Sequence, residues 1–197
     1  MSDWTRIQEF VVNKILWLSH MANEAESRAT LARLRRGIGK MPGDLPDLWE
    51  VTLDGLPENF YSKTGQPSLQ EWAVYSALTL FALHQQGKDM GTQLMHKEGV
   101  SIGAAMSQLV GNDDDRERIK RRLDTLVTST TPQELANHLR GIIQLLKASD
   151  KPLDYGMLAK DLFTLQLPGR EGEVHLRWGQ DFYRMNDMNT DNEKERN

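Results

Sequence analysis

From Leu69 to Leu83 the chain leaves almost no polar side on which a helix could meet water. Leu69, Trp72, Ala73, Val74, Tyr75, Ala77, Leu78, Leu80, Phe81 and Leu83 spread nearly all the way round a helical projection. A helix of that kind has to be surrounded by others, so it belongs at the centre of a bundle. Its start is written in front of it. Ser68-Leu-Gln-Glu71 is a capping box, in which the serine hydroxyl and the glutamate carboxylate reciprocally satisfy free backbone N–H groups.

The helices to surround it are legible on both sides. Trp4, Ile7, Val11, Ile15 and Leu18 mark a first amphipathic helix. Between Gly99 and Gly111, Ile102, Ala105, Met106, Leu109 and Val110 suggest a short helix whose small residues admit a close neighbour. After a turn at Asn112 to Asp115, a helix from Arg116 to Thr128 turns Ile119, Leu123, Leu126 and Val127 to the core; Asp113, Asp114 and Asp115 suit its positive N-terminal end. Thr131-Pro-Gln-Glu134 is a second capping box, opening a helix that buries Leu135, Leu139, Ile142, Ile143 and Leu146. Asp154 caps one more, running to Leu165 before Pro168-Gly169. Val174, Leu176 and Trp178 alternate as a strand would, yet Trp178, Phe182 and Tyr183 continue at helical spacing, and with no partner strand elsewhere the segment reads as helix. The expectation is an all-α helical bundle over 1–186, as one domain or two small helical lobes. It divides into a basic helix at 28–40, a loop region at 41–67 and the bundle proper at 68–186, with a mobile acidic tail at 187–197.

Charge is unevenly spread. The chain carries a net −4, yet Arg28, Arg33, Arg35, Arg36 and Lys40 place five positive charges in thirteen residues with no carboxylate among them. Leu31, Leu34 and Ile38 form one apolar stripe, which puts Arg33 and Arg36 on the opposite side with Arg28 and Arg35 flanking. Gly37, Gly39 and Pro42 then stop the helix. Arginine's planar fork donates two hydrogen bonds to two phosphate oxygens and stays charged at physiological pH, so the cluster reads either as an anion-binding surface or as a solvated face. Further outward cations stand on the later helices: Arg118 and Arg121 with Arg122 at their flank, then Arg140 and Lys147. Directly after the basic helix come Asp44, Asp47, Glu50, Asp54 and Glu58, with no lysine or arginine from Met41 to Ser62. Pairing between the two stretches is the main argument for a purely structural role, although exposed pairs contribute roughly 0 to 1 kcal/mol each.

The residues offer little for catalysis. The chain has no cysteine, which removes disulfides, thiolate metal sites and cysteine nucleophiles and fits a reducing cytoplasm. His20, His84, His96, His138 and His175 show none of the paired spacings of a zinc site. Gly37-Ile-Gly39 lacks the strand and the lysine-serine pair of a phosphate-cradling loop. No cofactor or metal is expected. Met1 to Arg6 lacks the basic start and apolar run of a signal peptide, and no apolar stretch reaches a membrane span. Of the five tryptophans, Trp4, Trp72 and Trp178 fit core stripes; Trp49 lies in the proline-bearing loop, where it anchors either the loop or a partner.

The order and spacing of these segments resemble a known family. TLARLRRG at 30–37, PGDLPDLWE at 42–50, GVSIGAAM at 99–106, RERIKRRL at 116–123, ELANHLRGII at 134–143 and LDYGMLAKDL at 153–162 are together similar to CasB, the small subunit of the type I-E CRISPR surveillance complex called Cascade. The resemblance runs from about Trp4 to Tyr183 and lies in the sequence of motifs rather than in any one of them. It implies an all-α, non-catalytic, cytoplasmic subunit for antiviral defence. Its implied partners are the Cascade backbone and large subunits, a second copy of itself, guide RNA, and target and displaced DNA, with no membrane. Resemblance and outward geometry together nominate Arg33, Arg36, Lys40, Arg118, Arg121, Arg122, Arg140 and Lys147 as backbone-contacting residues that steady the guide–target duplex and the open DNA. The alternative is a helical adaptor that binds protein through the acidic loop.

Overall fold

The computed structural model describes residues 2–194, with side chains described through residue 184. Among the described residues every regular element is helical: α1 (Asp3–Ser19), α2 (Glu24–Arg36), α3 (Trp49–Thr52), α4 (Leu69–Gln85), α5 (Ile102–Ser107), α6 (Asp113–Val127), α7 (Pro132–Ala148), α8 (Tyr155–Leu165) and α9 (Glu171–Lys194). The fold is all-α, as expected. The acidic tail expected at 187–197 falls on residues whose side chains, and from 195 onward whose backbone, lie outside the described set.

α4 is the axle. Its residues from Trp72 to Gln85 are all buried, and α1, α2, α3, α7 and α8 pack around it. Both halves of its capping box form: Ser68 Oγ accepts from Glu71 N at 3.0 Å, and Glu71 Oε2 accepts from Ser68 N at 2.6 Å. At the second box the geometry departs from expectation. Thr131 Oγ1 accepts from Glu134 N at 3.1 Å, but the Glu134 carboxylate reaches past Thr131 to accept from Thr130 N at 2.8 Å. The carboxylate thereby ties the preceding turn to the start of α7, where Pro132 occupies the first helical position.

Two glycines decide how closely helices cross. At Gly103 on α5 a methyl group would collide with the backbone carbonyl of Trp178 on α9, so the small residues after Val100 do admit a neighbour. At Gly156 on α8 a methyl would lie 2.7 Å from Val12 and 2.8 Å from Gln8, both on α1. The last helix reads as the helical spacing required, with Val174, Trp178 and Phe182 buried one turn apart. Trp178 donates from Nε1 to the buried Asp161 of α8 at 2.6 Å, and Arg177 pairs with the same carboxylate.

The basic helix differs in its limits. α2 begins at Glu24, capped by Asn23, whose Oδ1 accepts from Ala25 and Glu26, and it ends at Arg36 rather than running to Lys40. Gly37 closes it because Tyr75 of α4 donates its hydroxyl to the Gly37 carbonyl at 3.0 Å, where any side chain would meet Tyr75 at 2.5 Å. Burial, with Asp44 and Asp47 nearby, pushes the Tyr75 hydroxyl up to about 12, so it remains a donor. The loop region 41–67 is not featureless: it holds α3 and two single 3-10 turns, Pro46–Leu48 and Glu58–Phe60, which seat Leu48, Val51 and Phe60 in the core.

Candidate nucleic-acid interface

The eight nominated cations fall into three groups. Arg36, Arg118 and Arg121 are exposed but already engaged: Arg36 pairs with Asp47, Arg118 with Asp115 at 2.5 Å, and Arg121 with Glu117 at 3.2 Å. The Arg36–Asp47 pair realises the expected neutralisation between the basic helix and the acidic stretch. Arg33 is half-buried, a correction to the outward position that its helical phase implies. It donates to Thr30 Oγ1 at 2.8 Å, while its Nε is buried without a partner. The remaining four, Lys40, Arg122, Arg140 and Lys147, have no carboxylate within salt-bridge distance among the described residues, and three of them are on or against α7.

α7 carries two of these three and packs against the third. Arg140 and Lys147, seven residues apart, share a helix face about 10 Å apart along the axis. Arg122 reaches over from α6 so that its guanidinium lies 3.9 Å from where a Cβ at Gly141 would stand. That is an ordinary packing contact, which sets Arg122 against the α7 surface. Lys40, beyond the end of α2, borders a cleft shared with Trp72 and Tyr75 of α4 and Gln133 of α7.

Two further cations, Arg35 and Lys88, stand near the far end of α7. Lys147 donates to Gln86 Oε1 at 2.9 Å, and its pKa is lowered by burial and then by the charges of Arg35 and Lys88. Burial likewise lowers Arg35. Lys147 thus feels the positive charge of both Arg35 and Lys88, of which Lys88 is already paired with Asp150. Beneath them opens a groove of about 560 Å³ between the α1–α2 corner and the loop after α4, with Arg28, Arg35 and Lys88 on its walls. Acidic groups temper it: Arg28 pairs with Glu24, Lys88 with Asp150, and Asp89 lies on the rim.

Sequence reasoning sets Arg35 aside because it flanks the apolar stripe, and it passes over Lys88. The stripe-flanking position is what buries Arg35 halfway and aims it at α7. Lys88 has no local signal, since its place depends on how the loop after α4 folds back toward Asp150.

Two of the histidines, His84 and His96, are held against Tyr155. His84 is fully buried, its Nδ1 2.8 Å from the Tyr155 hydroxyl, and burial next to Lys88 pushes its pKa down to about 4. His96 Nδ1 accepts from Tyr155 N at 3.2 Å, and burial lowers its pKa too. Among the described residues no three His, Asp or Glu side chains gather as metal ligands, and no helix is long and apolar enough to cross a membrane.

Comparison with known proteins matches this architecture. The family model described as CRISPR-associated protein Cse2 matches residues 30–183. The crystal structure of CasB from Thermobifida fusca is 30% identical, with 92% of this chain and 99% of that chain covered at a TM-score of 0.74. CasB from Thermus thermophilus superposes with a TM-score of 0.65 at 21% identity, covering 93% of this chain and 99% of that one. A chain of a structure described as a CRISPR RNA-guided surveillance complex superposes at 0.68 with 20% identity, over 94% of this chain and 98% of its own. No curated protein matches the chain. With a family match over most of its length and the same helical arrangement in CasB structures, the chain belongs to the Cse2 (CasB) family of CRISPR-associated proteins.

Proposed function

We propose that this chain is a non-catalytic subunit of a type I-E CRISPR Cascade complex, where its α7 surface holds nucleic-acid backbone and so favours the open, guide-paired state of target DNA. One observation carries this reading: Arg122, Arg140, Lys147 and Arg35, on or beside α7, have no carboxylate partner among the described residues. The likeness to a chain of an RNA-guided surveillance complex supports the setting. An adaptor acting through the acidic loop alone leaves those unpaired cations without a purpose.

Exchanging a DNA duplex for an RNA–DNA duplex is nearly balanced in energy, so a few backbone contacts can decide whether the open state persists. Arginine and lysine on phosphate act through charge and counterion release, which makes the contact independent of sequence, as a scaffold for any target requires. Lys40 extends the surface past the end of α2. Arg36, Arg118 and Arg121 belong to its margin, because phosphate must first displace Asp47, Asp115 and Glu117. Arg33, half-buried, steadies α2.

The test is target-DNA binding by guide-loaded Cascade rebuilt with this chain, across a salt series. With Arg122, Arg140 and Lys147 changed to Gln, assembly is retained and the plot of log affinity against log salt becomes shallower by about 2 to 3, because each neutralised phosphate contributes about 0.7 to 0.9 to the slope. Changing Arg118 and Arg121 to Gln has the smaller effect. An unaltered slope in the triple variant rejects the phosphate-binding reading.

A further inference from the structure

Away from α7, the chain exposes aromatic rings among carboxylates. Trp17, Trp49 and Tyr61 are 41%, 48% and 39% exposed, an unusual investment of large apolar surface in water. Lys14 and the backbone of α3 link the segments that carry them. Lys14 Nζ sits 5.4 Å from the centre of the Trp17 ring, 3.6 Å from the Asp54 carboxylate and 3.4 Å from the Glu50 carbonyl, which ties α1 to α3. Trp49 opens α3 one turn before Leu53, whose carbonyl accepts the Tyr61 hydroxyl at 2.8 Å. Glu50 and Asp54 are exposed on the same short segment, and Asp54 is 80% exposed even while paired. Lys14 is joined to this cluster with only 14% of its side chain in solvent, and Arg6 at its margin is engaged by Asn59 at 2.8 Å and the Phe60 ring.

We infer that this α1–α3 face is a docking surface for a protein partner that presents arginine or lysine side chains. Aromatic rings exposed beside carboxylates are complementary to such a partner twice over. The ring faces attract cations, as Trp17 already does with Lys14, and the carboxylates pair with them. Tryptophan and tyrosine are also the residues on which binding energy concentrates at interfaces. Nucleic acid is repelled here, since its phosphates would face Asp54 and Glu50 while Lys14 is already engaged. The surface is distinct from α7, so one molecule can hold backbone phosphate on α7 and a basic protein neighbour on α1–α3. The inference rests on the Cascade reading for its setting.

The experiment adds this chain to Cascade that lacks its small subunit and measures incorporation by gel filtration. It compares wild type, Glu50→Lys/Asp54→Lys and Trp49→Gln, with circular dichroism melting to confirm each fold. The expected result is at least ten-fold weaker incorporation of the charge-reversed variant and a several-fold loss for Trp49→Gln, while salt-dependent DNA binding by the free chain is unchanged. Full incorporation of both variants overturns the docking surface and leaves the Cascade reading standing. A wild-type dimer in light scattering that the variants break overturns it in favour of a second copy as the occupant. Failure of wild type to join overturns the Cascade reading and this face's partner with it.

Discussion

At the scale of single residues, Gly103 and Gly156 separate two kinds of close approach. Both lie in helices, where alanine is ordinarily favoured by about 1 kcal/mol. At Gly103 the added methyl meets the Trp178 carbonyl and, at 3.1 Å, the Phe182 N, both backbone that cannot swing aside. At Gly156 it meets Val12 and Gln8 side chains first, which can shift. Gly103→Ala is therefore expected to cost more than about 3 kcal/mol and Gly156→Ala about 1 to 2, both by urea unfolding; equal costs would contradict the α5–α9 crossing. That small residues near Gly103 admit a neighbour was legible in the motif GVSIGAAM. That the neighbour is α9, far along the chain at Trp178, was not, because nothing local names the partner of a close approach.

At the scale of elements, Ser68 does two things at once. Its hydroxyl caps α4 through Glu71 N and also donates to the Phe60 carbonyl at 2.6 Å, so it fastens the loop region to the central helix. Ser68→Ala is expected to cost about 1 to 2 kcal/mol, above that of Thr131→Ala, whose hydroxyl caps α7 alone. Amide exchange around Tyr61 should quicken in the first variant only. The Ser68–Glu71 box was readable because a cap is a four-residue affair. The start of α2 was equally local, in Asn23 followed by Glu24 and Glu26. Weighting the arginines places the helix too late and carries it through to Lys40. Its true end is set by Tyr75 reaching across from α4, an interaction with no trace in the residues around Gly37.

At the scale of the whole molecule, two buried groups pull stability in opposite directions with pH. His84, held down at about 4 against 6.5, leaves the folded chain short of a proton the unfolded chain binds, so its contribution is lost as pH falls through that range. Asp161, pushed up to about 6 from 3.8 by burial despite Arg177 and Trp178, holds a proton the unfolded chain releases, so its contribution is lost as pH rises. Between pH 4 and 6 the two largely offset. Relative to wild type, Asp161→Asn is expected to gain stability with rising pH, by up to about 1.4 kcal/mol per unit, and His84→Asn to lose it at a similar rate. Urea midpoints at several pH values measure both, and parallel profiles would refute the opposition. The sequence by itself determined the helical class, the central place of α4 and the segregation of charge, because periodicity, caps and charge runs are written in neighbouring residues. The pairs Arg118–Asp115 and Arg121–Glu117 lie within one turn of α6 and are equally local. Only the tertiary structure decided the rest: it gave Arg36 its partner Asp47 and half-buried Arg33. The same packing turned Arg35 toward Lys147 and laid Arg122 over Gly141, and such pairings depend on distances between residues far apart in the chain.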